Sequence, residues 1–198
     1  GFFNSDHNLL AIDYDDRLYV FWIQVNQLTY YRYFENNTWS EPICPYPGDH
    51  VWGIWSLVVD NSNNLHCAGV FLGPGQTYDE IKVIYFQYLK NENYWTDKTL
   101  LSPATILGEG SVGLDIDLDN MDYPHIAYRQ KTANTGPYED STMYTYYNGT
   151  NWTAPELVIN DPYEQKIAID PFNRVHIIDR EKFGNGYKLV HYQKNVNV

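Results

Sequence analysis

The chain is short of basic residues, of cysteine and of long apolar runs, and each shortage closes off a class of function. Its 198 residues include 13 Lys and Arg against 25 Asp and Glu, a formal net charge of −12. A phosphate backbone or an anionic bilayer would be repelled by that field, and no basic cluster offers a local exception. No apolar run approaches the ~18 residues of a membrane-spanning helix. Two cysteines, Cys44 and Cys67, allow one disulfide at most, too few for a disulfide-stapled scaffold. The signatures H-E-x-x-H, C-x-x-C and G-x-S-x-G do not occur. Helical periodicity is also missing, which leaves strands and turns.

What is abundant is aromatic. The chain has 19 Tyr, 8 Phe and 6 Trp, and 43% of it is hydrophobic, a composition that packs a globular core. Short alternating runs, separated by Gly, Asn, Asp and Pro, read as strands and hairpins. One phrase recurs: "DRLYVFWIQ" (16–24), "NNLHCAGVF" (63–71), "DYPHIAYRQ" (122–130) and "NRVHIIDRE" (173–181). Before each, an apolar run ends in aspartate, and the alignment pairs Asp13, Asp60, Asp117 and Asp170. After each comes an aromatic strand. In the first three copies an Asn-rich turn then leads to Trp39, Trp95 and Trp152. Four short strands repeated about every 50 residues mark propeller blades. The expected fold is all-β: a β-propeller of four blades, each of four antiparallel strands, closed on itself or part of a larger propeller. The repeats fall at about 8–52, 53–110, 111–164 and 165–198 of a single domain. Residues 1–7 are expected to supply the strand that the last repeat lacks.

The order Asp, turn, His, aromatic strand, Asn/Gly turn and Trp resembles the secreted propeller repeats of the sialidase-like (BNR) superfamily, and also propeller lectins built from similar blades. The resemblance runs along the whole chain on degenerate motifs. Of the superfamily's box S-x-D-x-G-x-x-W, "TYYNGTNW" (145–152) keeps Gly149 and Trp152, has Thr145 for the serine, and has Tyr147 for the aspartate. The other two copies keep only Trp39 and Trp95. The resemblance therefore implies the fold, and does not carry sialidase activity over.

His66, His125 and His176 recur at one repeat position, with Tyr19 in the first copy. A residue repeated in every blade reads as framework, here bridging neighbouring blades by hydrogen bonds. Cys67 stands where the other copies have Val20, Ile126 and Ile177, which reads as a buried thiol acting as a small hydrophobe. Function is expected where the repeats differ. Arg129 and Arg180 occupy equivalent strand positions held elsewhere by Ile23 and Val70. They serve either an ion pair with Asp179 or another strand carboxylate, or contact with an anionic sugar group. Two connections between second and third strands are long: "GPGQTYDE" (73–80) with Tyr78, Asp79 and Glu80, and "NTGPYED" (134–140) with Tyr138, Glu139 and Asp140. The segment "PYPGDHVWGIW" (45–55) adds Tyr46, His50, Trp52 and Trp55, with core packing the alternative for one of the two tryptophans. In an up-and-down blade these segments emerge at one end, where binding residues concentrate.

Aromatic rings beside carboxylates suit carbohydrate, the rings stacking on sugar C–H faces while the acids accept hydroxyl hydrogen bonds. "GEGSVG" (108–113) has the G-x-G-x-x-G form but leads into a strand, so it reads as a loop. The aspartates of "DIDLDNMD" (Asp115, Asp117, Asp119, Asp122) resemble a calcium loop without its glycine, and calcium is kept as an alternative to no cofactor. The expectation is a non-enzymatic, extracellular or cell-surface, glycan-binding module with no catalytic or metal residue assigned. A polysaccharide-degrading glycosidase or lyase is one alternative and a protein–protein module in a surface assembly another. The partners expected are a glycan, with a protein as a second possibility, and neither nucleic acid nor a membrane span.

Overall fold

The computed structural model describes residues 8–24, 28–47, 51–71, 81–102, 113–131, 140–160, 164–184 and 186–196, and only the backbone at 52, 131, 140 and 182. The described residues form four antiparallel sheets and one 3-10 turn (Lys90–Glu92). The first sheet is β1 (Leu9–Ile12), β2 (Leu18–Ile23), β3 (Thr29–Glu35) and β4 (Thr38–Trp39). The second is β5 (Val51–Val59), β6 (Leu65–Phe71), β7 (Lys82–Leu89) and β8 (Tyr94–Trp95), with β9 (Thr99–Leu100) also paired to β7. The third is β10 (Leu114–Leu118), β11 (Pro124–Lys131), β12 (Asp140–Tyr146) and β13 (Glu156–Asn160). The fourth has three strands, β14 (Lys166–Ile169), β15 (Arg174–Phe183) and β16 (Gly186–Asn195). The all-β expectation holds. Residues 1–7, expected to complete the last sheet, lie outside the described residues.

Each sheet is a meander in chain order, so its two ends differ. The first-to-second and third-to-fourth turns share one end, called here the turn end. The second-to-third connection and the link to the next sheet share the other, the loop end.

At the turn end one aspartate per sheet organises the hairpin. Asp13 Oδ1 accepts the backbone N–H groups of Asp15 and Arg17. Asp60 takes those of Ser62 and Asn64, and Asp170 those of Phe172 and Arg174. In the third sheet Asp119 does this, accepting from Met121 and Tyr123. The residue three places on has positive φ each time: Asp16 62°, Asn63 67°, Asp122 60° and Asn173 56°. Asn and Asp tolerate that conformation better than other non-glycine residues. The repeat aspartate of the third sheet is therefore Asp119, not Asp117. In "LDIDLD" aspartates recur at the period of a strand, so the pattern alone fits either register. Asp117 lies within β10 and accepts the Ile169 N–H of the fourth sheet at 2.6 Å.

Six residues beyond each aspartate stands the histidine or Tyr19. Asp60 Oδ2 is 3.2 Å from His66 Nε2, Asp119 Oδ2 is 3.5 Å from His125 Nε2, and Asp170 Oδ2 is 3.2 Å from His176 Nε2. Tyr19 Oη donates to Asp13 Oδ2 at 3.2 Å. The other ring nitrogen meets the third strand: His66 Nδ1 lies 2.8 Å from Tyr85 Oη, His125 Nδ1 2.6 Å from Tyr144 Oη, and His176 Nδ1 3.1 Å from His191 Nε2. These bonds stay inside one sheet, which corrects the expectation that the histidines bridge blades. The turns do the bridging. The Tyr14 N–H donates to Asn63 Oδ1, Asn61 Nδ2 to Asp122 Oδ1, and the Asn120 N–H to Asn173 Oδ1. Lys90 Nζ adds 2.7 Å bonds to both Asp13 and Asp15.

The core lies between successive sheets in three clusters. Trp95 of β8 and Trp152, which precedes β13, reach back onto the preceding sheet. Trp95 sits 5.4 Å from the Tyr31 ring and 6.2 Å from Phe21, and donates to Tyr31 Oη at 3.3 Å. Trp152 lies 4.9 Å from Tyr85. Cys67 is a fully buried free thiol in the first-to-second-sheet core, and burial pushes its pKa up. Among the described residues no helix is long and apolar enough to cross a membrane.

Candidate functional site

Of the residues singled out in the sequence, His50, Tyr78, Asp79, Glu80, Tyr138 and Glu139 lie outside the described residues. Trp52 and Asp140 are placed by backbone alone, on β5 and β12. The side chains of Tyr46, Trp55, Arg129 and Arg180 can be located.

Tyr46 follows β4 on the link to the second sheet and is held on several sides. Its Oη donates to the Thr96 carbonyl at 2.6 Å, its ring meets Phe86 edge-on at 5.2 Å, and Lys98 Nζ stands 4.0 Å over its centroid. Around it Thr29, Cys44, Val51 and Phe86 line a crevice too narrow to admit a molecule. Trp55 packs partly buried against the core between second and third sheets. Of the two tryptophans, it is thus one that serves core packing.

The arginines occupy the register expected of them. Arg129 on β11 is opposite Thr142, and Arg180 on β15 is opposite Leu189, where the earlier sheets pair Ile23 with Thr29 and Val70 with Val83. Arg129 is half-buried and its N–H donates to the Gly113 carbonyl at 2.9 Å. Arg180 is exposed, with Nη2 3.6 Å from Glu164 Oε2 and its guanidinium 5.7 Å over the Tyr187 ring. Glu164 is thus one carboxylate neighbour of Arg180. Asp179, the partner weighed from the sequence, alternates to the opposite face of β15 and is buried against the third sheet. There it accepts Thr142 Oγ1 at 2.7 Å and the N–H groups of Glu164 and Arg180 at 3.0 and 2.6 Å.

Gln165 completes this group. It is buried, donates through Nε2 to the Ala127 carbonyl at 3.3 Å, and lies so near Gly113 that a Cβ there would stand 2.1 Å from its Oε1. The loop end of the third-to-fourth junction is accordingly polar, with Arg129, Thr142, Gln165 and Asp179, and Arg180 beside it. At the same level the first two sheets present Ile23 with Thr29 and Val70 with Val83. The carboxylate at 179, where the other copies have Trp22, Gly69 and Tyr128, was the sequence signal for this junction.

The aspartates considered for calcium point to separate partners. Asp115 accepts Ser56 Oγ and the Ile167 N–H, Asp117 the Ile169 N–H, Asp119 its own turn, and Asp122 Asn61. Burial holds Asp117 above the usual carboxylate range despite its N–H donors. Among the described residues no three or more His, Cys, Asp and Glu side chains converge as a metal would require.

No family model and no curated protein matches the sequence. Solved structures do match the fold. An ulvan lyase from a new polysaccharide lyase family, bound to -[GlcA(1-4)Rha3S]-, aligns with a TM-score of 0.68 at 15% identity, over 95% of this chain and 52% of its own. A Hadza microbial sialidase aligns at 0.63 and 9% identity, over 93% and 43%. An endo-arabinase from Bacteroides thetaiotaomicron aligns at 0.52 and 12% identity, over 96% and 75%. The chain spans about half the length of the lyase and less than half that of the sialidase. The likeness is one of fold.

Proposed function

We propose that the four sheets are propeller blades and that the chain is an extracellular module binding an acidic polysaccharide at their loop end, without catalysis. The observation that carries this reading is the pair of arginines at equivalent loop-end positions, where the first two sheets have aliphatic side chains. Arg180 combines an exposed guanidinium, a long 3.6 Å ion pair and an exposed tyrosine ring beneath it. A planar fork of donors suits a sugar carboxylate or sulfate, and a ring beside it suits a sugar face. The acidic aromatic segments at 73–80 and 134–140 would add hydroxyl acceptors around the same end. Because the chain as a whole carries −12, local arginines are needed to hold an anionic glycan at all.

The test is a glycan and polysaccharide array that includes uronate-bearing and sulfated polymers, run with and without EDTA. Binding to a confined acidic set, reduced at least tenfold by Arg180→Ala, is expected. A blank array, or binding indifferent to both Arg129→Ala and Arg180→Ala, would refute the reading. Loss in EDTA would instead assign the aspartates a calcium role. Degradation is the second reading, favoured because a lyase, a sialidase and an arabinase share the fold. It requires release of unsaturated uronate, followed by ultraviolet absorbance, or of new reducing ends from the same polymers.

A further inference from the structure

The internal junctions of this molecule share a plan. The forward face of one sheet, carrying a third-strand tyrosine, receives the back face of the next, carrying first-strand aliphatics and, at the first two junctions, Trp95 or Trp152. The strand contacts run β1 to β5, β5 to β10 and β10 to β14. Among the described residues, both halves of such a junction are exposed at the two ends of the array. On the back of the first sheet Leu10 is 68% exposed, whereas its counterparts Ile116 and Ile167 are 5% and 8% exposed. Ile12 beside it is 60% exposed, and Trp39 is 44% exposed where Trp95 and Trp152 pack onto a preceding sheet. On the front of the fourth sheet Leu189 is 71% exposed, against 0% for its counterparts Val83 and Thr142. Ile178 is 42% exposed where Ala68 and Ala127 are 0%. His191, at the place of the buried Tyr85 and Tyr144, faces solvent as well.

We infer that these two faces dock a second copy of this chain, head to tail, the fourth sheet of each copy receiving the first sheet of the other. Each face lacks the complement that the same chain carries at its opposite end. Two copies related by a twofold axis therefore cover all four exposed faces with two identical junctions, whereas one uncovered junction would propagate. Exposed apolar side chains grouped on one face of a protein surface mark an interaction site. Arg180 would then sit at the rim of the new junction as Arg129 sits at the rim of the third.

Sedimentation velocity and equilibrium of the full chain decide the matter. The expected species has twice the 23.2 kDa of one chain. Leu10→Asp and Leu189→Asp should each convert it to single chains with unchanged circular dichroism, since both positions are solvent-exposed in one copy and neither change disturbs its core. A single-chain species at about 100 μM, open-ended polymers, or pairing indifferent to both substitutions would each overturn the inference.

Discussion

A single carboxylate at each turn end satisfies two backbone donors and fixes a histidine or tyrosine, so its loss should be felt well beyond one contact. Asp119→Ala leaves the Met121 and Tyr123 N–H groups and the buried His125 ring without their acceptor. With about 1–3 kcal/mol for each buried group left unsatisfied, the melting temperature should fall by several degrees. Asp119→Asn, which keeps an acceptor oxygen, should lose less; equal losses from the two would deny the turn role. The same network sets an acid limit. Burial lowers the His125 pKa below 6.5, against the pull of Asp119. The fold thus holds the ring neutral while the unfolded chain takes up a proton near pH 6.5. That stability is present above pH 6.5 and is lost as pH falls below it. Burial pushes Asp13 and Asp60 up, but Lys90 and the Arg17 N–H draw the first below 3.8, and His66 and Asn64 draw the second below it. Their contribution is lost only at still lower pH. Urea midpoints between about pH 7.5 and about pH 5 should therefore decline in the native chain and decline less in His125→Gln. At this scale the recurrence of Asp and His was legible, because it is periodic. The partner of each ring was not, because it sits across a hairpin, 19 residues on for His66 and His125 and 15 for His176.

Within the sheets, one short motif after the third strand does two jobs. After each tryptophan, the hydroxyl oxygen of Ser40, Thr96 or Thr153 accepts a third-strand N–H, of Tyr33, Gln87 or Tyr146, while the indoles of Trp95 and Trp152 pack backward. Trp95→Ala should cost about 3–5 kcal/mol, as removal of a packed indole does. Trp39→Ala should cost much less in a single copy, since Trp39 is 44% exposed and, among the described residues, Phe34 is the ring that stacks against it, with centroids 5.2 Å apart. Chemical denaturation at low protein concentration separates the two; equal penalties would mean that Trp39 is covered. β5 supplies a stricter constraint. Its pairing with β6 shifts register between Val51 and Gly53 and again between Ile54 and Ser56. The irregular backbone comes so close that a Cβ on Gly69 would lie 2.5 Å from the Gly53 carbonyl oxygen. Gly69→Ala must move backbone, and a loss of about 1–3 kcal/mol is expected; an unchanged denaturation midpoint would show that β5 yields freely. Strand order was legible from alternation and turn residues. These register shifts were not, since they arise from the fit of one strand on its neighbour.

Across the whole molecule, the polar third-to-fourth junction shows why the site was only half legible. Arg129 and Arg180 stood out as departures from a repeat. Gln165 did not, and Asp179 was legible only as a strand carboxylate, because their partners Ala127 and Thr142 lie 38 and 37 residues away on another sheet. The same long-range logic governs association. Each copy carries −12, so two copies repel at distance, while the faces inferred to meet carry Leu10, Ile12, Ile178 and Leu189. Screening shortens the repulsion, from a Debye length of about 30 Å at 0.01 M salt to about 8 Å at 0.15 M, and leaves apolar burial nearly untouched. Self-association should therefore tighten as salt rises. An interface held by ion pairs would weaken over the same range, so sedimentation equilibrium across a salt series distinguishes an apolar junction from an electrostatic one by the sign of the slope.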